Sequence, residues 1–422
     1  MITTRIARWA RPLTAAACAA IAAWQANGAG AVDGTIAIRG DTVHTMAGPA
    51  ITDGVVLIEA GRIRQVGPAA EVPIPEGMRL LRGAVVTPGL VDAHTVVGLS
   101  GSLNQPQDQD QLDTVDPMQP ELRAIDAYNP QERLIEWVRG FGVTTIHTGH
   151  APGALISGQT MIAKTRGQTA DEAVLKPVAM VAVTLGDDAR PKGDGADKKS
   201  PGTRSKAVAM LRGELVKAQE YLRKRSLTDE SKRPDKDLRL ESLAKVLARE
   251  WPLVITADRA ADIASALRIA DEFNLRIVLD SAAEAYLLTD RIKAAGVSVI
   301  AHPTMRRAGA GETENLSFET AATLRKAGIP VALQSGYEGY VPKTRVALFE
   351  AALAAAHGLS FDEAWATITI DAARIIGVAA RVGSLAVGKD GDVAIFDGDP
   401  FEYTTHCIGV VIDGTVMSDQ PR

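Results

Sequence analysis

Three consecutive units, each an amphipathic helical stretch leading into a short apolar run, constrain this chain more than any other feature. "RAADIASALRIADEF" precedes "LRIVLDS", "AEAYLLTDRIKAAG" precedes "VSVIAHP", and "SFETAATLRKAG" precedes "IPVALQSG". In the first unit Ile263, Leu267 and Ala270 share one helical face. Connections long enough to hold a helix return the next strand parallel to the last, by a right-handed crossover. The pattern therefore predicts a parallel sheet with crossover helices, either a barrel or a doubly wound sheet. It begins near Asp92, where "PQERLIEWVRGFG" leads into "VTTIHTG". Residues 187–237 interrupt it with two charged loops around a helix at about 208–222, read here as solvated surface insertions.

Both ends of the chain read differently. "TIAIRGDTVHTM", "GVVLIEAGRIRQVG" and "RLLRGAVVTPGL" are short β-rich runs separated by Gly, Pro and Asp, and "DVAIFDGDP" and "CIGVVIDGTVMSD" repeat that texture at the C-terminus. A small sheet module built from both termini is expected, at residues 33–90 and 383–422, with the α/β body of residues 91–382 inserted between.

Composition removes several function classes. Lys and Arg number 46 against 51 Asp and Glu, so no basic excess is available for a phosphate backbone, and aromatics at 4% leave few stacking platforms. Nucleic acid is excluded as a partner on those grounds. Cys18 and Cys407 are the two cysteines, too few for a disulfide framework, a Cys-rich zinc module or an iron–sulfur cluster. Any metal must be held by His and carboxylate. Arg5, Arg8 and Arg11, the apolar run "PLTAAACAAIAAW" and the small residues at 29–31 form a secretory signal, so residues 1–31 are expected to be removed and the mature protein to be periplasmic or secreted. No later stretch is apolar and long enough to span a bilayer.

The wording of two segments then carries a resemblance. "GVVLIEAGRIRQVGPAAEVPIPEGMRLLRGAVVTPGLVDAH" resembles the entry into the barrel of the amidohydrolase superfamily, and "DAARIIGVAARVGSLAVGKDGDVAIFDGDP" resembles its C-terminal return. "PELRAIDAYNP", "FGVTTIHTG" and "GALISGQTMIAKTRG" are similar to the imidazolonepropionase-like branch. The resemblance implies a (β/α)₈ TIM barrel with a small β-sandwich from both termini. It also implies a metal-dependent hydrolase of amide, cyclic amide and related carbon–nitrogen bonds.

In that family, ligands converge at the C-terminal ends of the strands: His-x-His on strand one, a carboxylate or carbamylated Lys on strand four, His on strands five and six, Asp on strand eight. Here strand one reads "VDAHTVVG", so His94 matches the first ligand and Val96 replaces the second. Thr256 and Asp258 stand at strand five, Ser281 at strand six, and Ser335 and Gly336 at strand eight. Asp187, in "TLGDDAR", retains a carboxylate after strand four. Catalytic zinc generally has three protein ligands plus water, so a reduced or rebuilt site is expected, centred on His94 and Asp187 as catalytic residues and metal ligands. His147, His150 and His302 are candidate substrate-binding residues, and Asp92, Asp258 and Asp280 are further polar groups that the topology brings to the same mouth. Lys164 reads as a solvent-facing strand residue, "GALISGQT" as a tight turn between strands, and the Asp-rich segment after strand one as a solvated loop that could also cap the mouth.

Two functions follow. One is hydrolysis of a non-peptide or dipeptide-like carbon–nitrogen bond with one divalent metal, zinc for preference. The other is a barrel without metal or turnover that binds a small ligand, forms a homo-oligomer, or partners an intact amidohydrolase subunit.

Overall fold

The computed structural model describes residues 35–103, 105–190, 201–337 and 345–421. The signal-peptide expectation for residues 1–31 falls outside them.

Eight staves close the expected barrel. They are β1 (Leu90–Thr95), β2 (Val143–Thr148), β3 (Ile156–Gln159, continuing as Met161–Lys164), β4 (Val181–Thr184), β5 (Leu253–Thr256), β6 (Ile277–Ser281), β7 (Ser298–Ala301) and β8 (Val331–Ala332). β4 to β8 pair in parallel order, β1 pairs parallel to β2, and a parallel bridge from Thr95 to Gly336 joins the last stave to the first. Every residue of β1, β2, β5 and β6 is buried, as expected of strands covered on both faces.

One stave departs from the expected parallel sheet. β3 runs antiparallel to both neighbours, with His147 opposite Ile162 and Val181 opposite Gln159. Residues 149–155 are too few for a crossover helix, which needs about a dozen residues, so the chain reverses directly. The "ISGQ" of "GALISGQT" is thus part of a stave, and Gly158, at φ 140°, sits at the irregularity in its pairing with β4.

The break at 187–237 is also more structural than its charge suggested. The helix Arg204–Arg225 buries Ala207, Leu211, Leu215 and Ala218, a stripe at helical spacing, and packs with Leu238–Leu247 as the covering layer between β4 and β5. Its remaining faces are charged, which is why the sequence reads as a solvated insertion. The helix Ala260–Glu272 buries Ile263, Leu267 and Ala270 as expected.

Both termini meet in one continuous seven-stranded sheet, ordered Thr415–Ser418, Cys407–Ile412, Val393–Phe396, Leu80–Pro88, Ile36–Val43, Ile51–Glu59, Arg62–Pro68. Alternate residues face opposite sides: Ile36, Ile38, Val56 and Ile58 join one apolar cluster, Ala37, Val55 and Leu57 another.

Lys164, at the end of β3, joins barrel and sheet. Its ammonium is 4% exposed and donates to Asp390 at 2.7 Å, to Asp392 at 3.0 Å and to Asp413. It is a buried ionic post, which corrects the solvent-facing expectation. The carboxylates that make its burial tolerable arrive from more than two hundred residues away, where no local pattern reveals them.

Candidate functional site at the barrel mouth

The C-terminal ends of the staves surround a cavity of about 280 Å³. His94, Val96, Thr256, Ser281 and Gly336, all positions at which the family resemblance placed ligands, line it together with Asp280, Gln334, Pro303 and Arg306. The structure thus brings these positions of strands one, five, six and eight to one cavity.

Two carboxylates organise the wall. Asp280, at the end of β6, accepts from His94 Nδ1 at 2.8 Å and Gln334 Nε2 at 2.9 Å on one oxygen, and from Thr256 Oγ1 at 2.6 Å on the other. Asp258, just past β5, accepts from Ser281 Oγ at 2.6 Å and the Ala283 N–H at 3.1 Å on one oxygen, and from Arg306 Nη1 at 3.1 Å on the other. Arg306 Nη1 also donates to Ser281 Oγ at 2.7 Å. Ser281 and Ala282 hold positive φ (62° and 52°), so the chain turns sharply off β6 and carries the Ser281 hydroxyl into this network. Beneath, Asp92 accepts from the Ser335 N–H at 3.0 Å, tying β1 to β8.

The electrostatics favour an ion pair at His94. Burial opposes charge on its imidazole, but Asp280 at hydrogen-bond distance, with Asp92 behind it, outweighs burial and holds the pKa above the ordinary value. Burial likewise opposes charge on Asp280, and His94, Thr256 and Gln334 overcome it, so that carboxyl lies below its usual range. Asp92 goes the other way: burial pushes it up to about 6, the Ser335 and His94 hydrogen bonds offsetting only part. His94 Nε2 is buried without a hydrogen-bond partner, in a side chain that lines the cavity.

The remaining candidates are distributed differently from expectation. Asp187 does not join His94. Burial resists its charge, but its Oδ1 accepts from Arg190 at 2.8 Å and lies 3.2 Å from Arg204, which lowers its pKa in a half-exposed cluster; its neighbour Asp188 is the residue lining the cavity. Asp187, the carboxylate expected after strand four, and Asp188 are thus directed differently, since a loop fixes no side-chain direction. His147 lies behind the wall, its ring 5.3 Å from that of His94 and both nitrogens engaged, Nδ1 donating to the Ala93 carbonyl and Nε2 accepting from Thr160 Oγ1, each at 2.7 Å. Burial, with His94 alongside, drops its pKa to about 3, so it is a neutral structural residue. His150 packs against Gly158, where burial lowers its pKa to about 4. His302 donates from Nδ1 to the Pro303 carbonyl at 2.9 Å. Neither is a cavity-lining residue. The Asp-rich segment after β1 does reach the mouth, through Gln111 Nε2 and the Tyr337 hydroxyl at 3.4 Å.

Asp280 was among the polar groups expected here, without a role, although it directly precedes the strand-six position. Arg306 and Gln334 carried no signal: the first sits in a loop after β7, the second reads as part of an apolar run.

The donor set does not suit the family's metal. Among the described residues no three His, Cys, Asp or Glu side chains gather as a cation site. Val96 and Gly336 offer no donor. Both oxygens of Asp258 and of Asp280 already accept hydrogen bonds.

This fold and mouth define a class. The amidohydrolase family's sequence profile matches residues 114–417, and the chain belongs to that family. It is similar to the imidazolonepropionase of Rhizorhabdus wittichii, 25% identical over 401 residues spanning 85% of this chain and 92% of that protein. It is also similar to the imidazolonepropionase of Xanthomonas oryzae pv. oryzae, 23% identical over 374 residues, 83% of this chain and 88% of the relative. Among solved structures, an amidohydrolase from Thermotoga maritima superposes with a TM-score of 0.85 at 27% identity, covering 91% of this chain and all of the other.

Proposed function

We propose that the protein hydrolyses a carbon–nitrogen bond in a small polar compound of the amide or cyclic-amide class, with His94 as the proton-transferring residue. The observation that carries this is His94 itself: Nδ1 is committed to Asp280 while Nε2 is buried and unpartnered, in a side chain that lines the cavity. A neutral His94 with its Nδ1–H on Asp280 takes a proton from water at Nε2 as the water oxygen bonds to the carbonyl carbon. It returns that proton to the departing nitrogen as the carbon–nitrogen bond breaks. Asp280 fixes the tautomer and stabilises the imidazolium between the two steps, and the substrate is held against Arg306 and Ser281. Membership of the amidohydrolase family and the imidazolonepropionase relatives support the reaction class.

The test is turnover of a panel of small amides and cyclic amides by chelator-treated protein, compared with His94→Gln and Asp280→Asn. General acid–base catalysis contributes about 10²- to 10⁴-fold, and His94→Gln should lose that much while keeping ligand affinity. A second reading, a ligand-binding barrel without turnover that partners an intact amidohydrolase subunit, is favoured by the replacement of ligands at Val96, Thr256, Ser281 and Gly336. Ligand binding with no turnover by the protein alone, and turnover when the partner is added, would establish it instead. If residues 1–31 act as a secretory signal, the reaction takes place in the periplasm or outside the cell, which fractionation of the expressing cell tests.

A further inference from the structure

The mouth carries two buried carboxylates, Asp258 and Asp280, each 3% exposed at its side chain. Ionised carboxylates in such a place need compensating charge, since isolated buried ions are prohibitively costly. In a metal-dependent barrel of this shape a divalent cation would supply it. Here each carboxylate has its own side-chain partner: the His94 imidazole on Asp280 at 2.8 Å and the Arg306 guanidinium on Asp258 at 3.1 Å.

The hydroxyls at the substituted positions complete the arrangement. Thr256, at the strand-five position, donates to Asp280, and Ser281, at the strand-six position, donates to Asp258 and accepts from Arg306. At strand eight, the Ser335 N–H holds Asp92. Gly336, at φ 66°, leaves no room for a replacement side chain, because a Cβ there would lie 2.7 Å from Pro303 Cγ.

We propose that the His94 imidazole and the Arg306 guanidinium take the place a divalent cation would occupy, so that the mouth is a closed hydrogen-bonded network that neither requires nor takes up a metal ion. Arg306 is then a positioning residue: it fixes Asp258 and Ser281, and through the turn at Ser281 the end of β6 that presents Asp280 to His94. This rests on the cavity being the working site, but not on turnover, and the two can fail separately: metal uptake would overturn the network while leaving a hydrolase, and absence of turnover would leave the network intact.

The test has two arms on the full-length mature protein. Wild type is incubated with excess zinc or manganese, desalted, and its metal content measured alongside His94→Ala; the thermal midpoint is recorded with each metal and with chelator. The expected result is no metal difference between wild type and His94→Ala and no shift of the midpoint. One equivalent bound by wild type and lost in His94→Ala would overturn the proposal. The second arm is a double-mutant cycle of Arg306→Met with Asp258→Asn, with Arg306→Lys as the conservative control. Arg306→Met should lower the midpoint, Arg306→Lys should recover part of the loss, and adding Asp258→Asn to Arg306→Met should restore stability rather than reduce it further. Purely additive losses would show that the guanidinium is not the compensating charge. If Arg306→Met does not fold, the same coupling is read between Arg306→Lys and Asp258→Asn.

Discussion

Replacing Lys164 by methionine tests how the terminal sheet is joined to the barrel. Methionine retains much of the apolar stem and removes the ammonium. Asp390 keeps Arg62 at 2.7 Å and Arg381 at 2.8 Å, and Asp413, 21% exposed, keeps Arg166 at 2.7 Å. Asp392 fares worst: it is 3% exposed and retains the Asp413 N–H at 2.9 Å. Removing one partner of a buried ion pair costs about 3–5 kcal/mol, because the other charge stays behind. The cost should depend on pH. Burial already raises the Asp392 carboxyl, and Lys164 is what pulls it back down, so the variant's folded-state pKa climbs further above the unfolded value. A carboxyl raised on folding destabilises when ionised, so the penalty is full at high pH and relieved as pH falls through the folded pKa, at ~1.4 kcal/mol per unit. Equilibrium urea unfolding at pH 8 and pH 5.5 should show the larger loss at pH 8, and Lys164→Met with Asp392→Asn should recover most of it. A loss below about 1 kcal/mol at pH 8, the size of an exposed pair, or one that does not change with pH, would refute the reasoning.

Three further outcomes are expected. Gly336→Asp restores the family's strand-eight carboxylate in sequence only; with φ at 66° and Pro303 in the way it should cost about 1–3 kcal/mol and confer no zinc uptake, read by thermal unfolding and metal analysis. Turnover that uses neutral His94 as base should fall as pH drops through its folded-state pKa, which Asp280 holds above the ordinary value, and Asp280→Asn should move that limb to lower pH; a kcat/KM profile shows both. His147→Phe takes the imidazole donor from the Ala93 carbonyl, about 1–3 kcal/mol for a buried group, while the Thr160 hydroxyl keeps Met180; it should destabilise the fold while leaving ligand affinity within a few-fold, as isothermal titration would show.

The sequence carried the barrel because its information is periodic and local: Ile263, Leu267 and Ala270 mark a helix face whatever surrounds them, and the terminal runs mark a sheet. The antiparallel β3 was legible in principle from the shortness of residues 149–155, but the dominant helix–strand rhythm masked it. At the site, positions defined along a strand survived, since the pleat fixes where Val96, Thr256 and Ser281 point. Loop residues did not. Asp187 and Asp188 are adjacent and chemically identical, and only tertiary packing hands one to Arg190 and Arg204 and the other to the cavity. The roles of Arg306 and Lys164 escaped for the same reason, because each cation is defined by carboxylates distant in the chain.

The central claim is that this amidohydrolase mouth is organised by His94 and Asp280 directly, without an intervening ion. Anomalous diffraction at the zinc edge, from crystals of the protein soaked in zinc, addresses it. No anomalous peak is expected at His94, and the Nδ1–Oδ1 contact should stay near 2.8 Å. A full-occupancy peak on His94 Nε2, with Asp280 or Asp258 turned to ligate it, would contradict it.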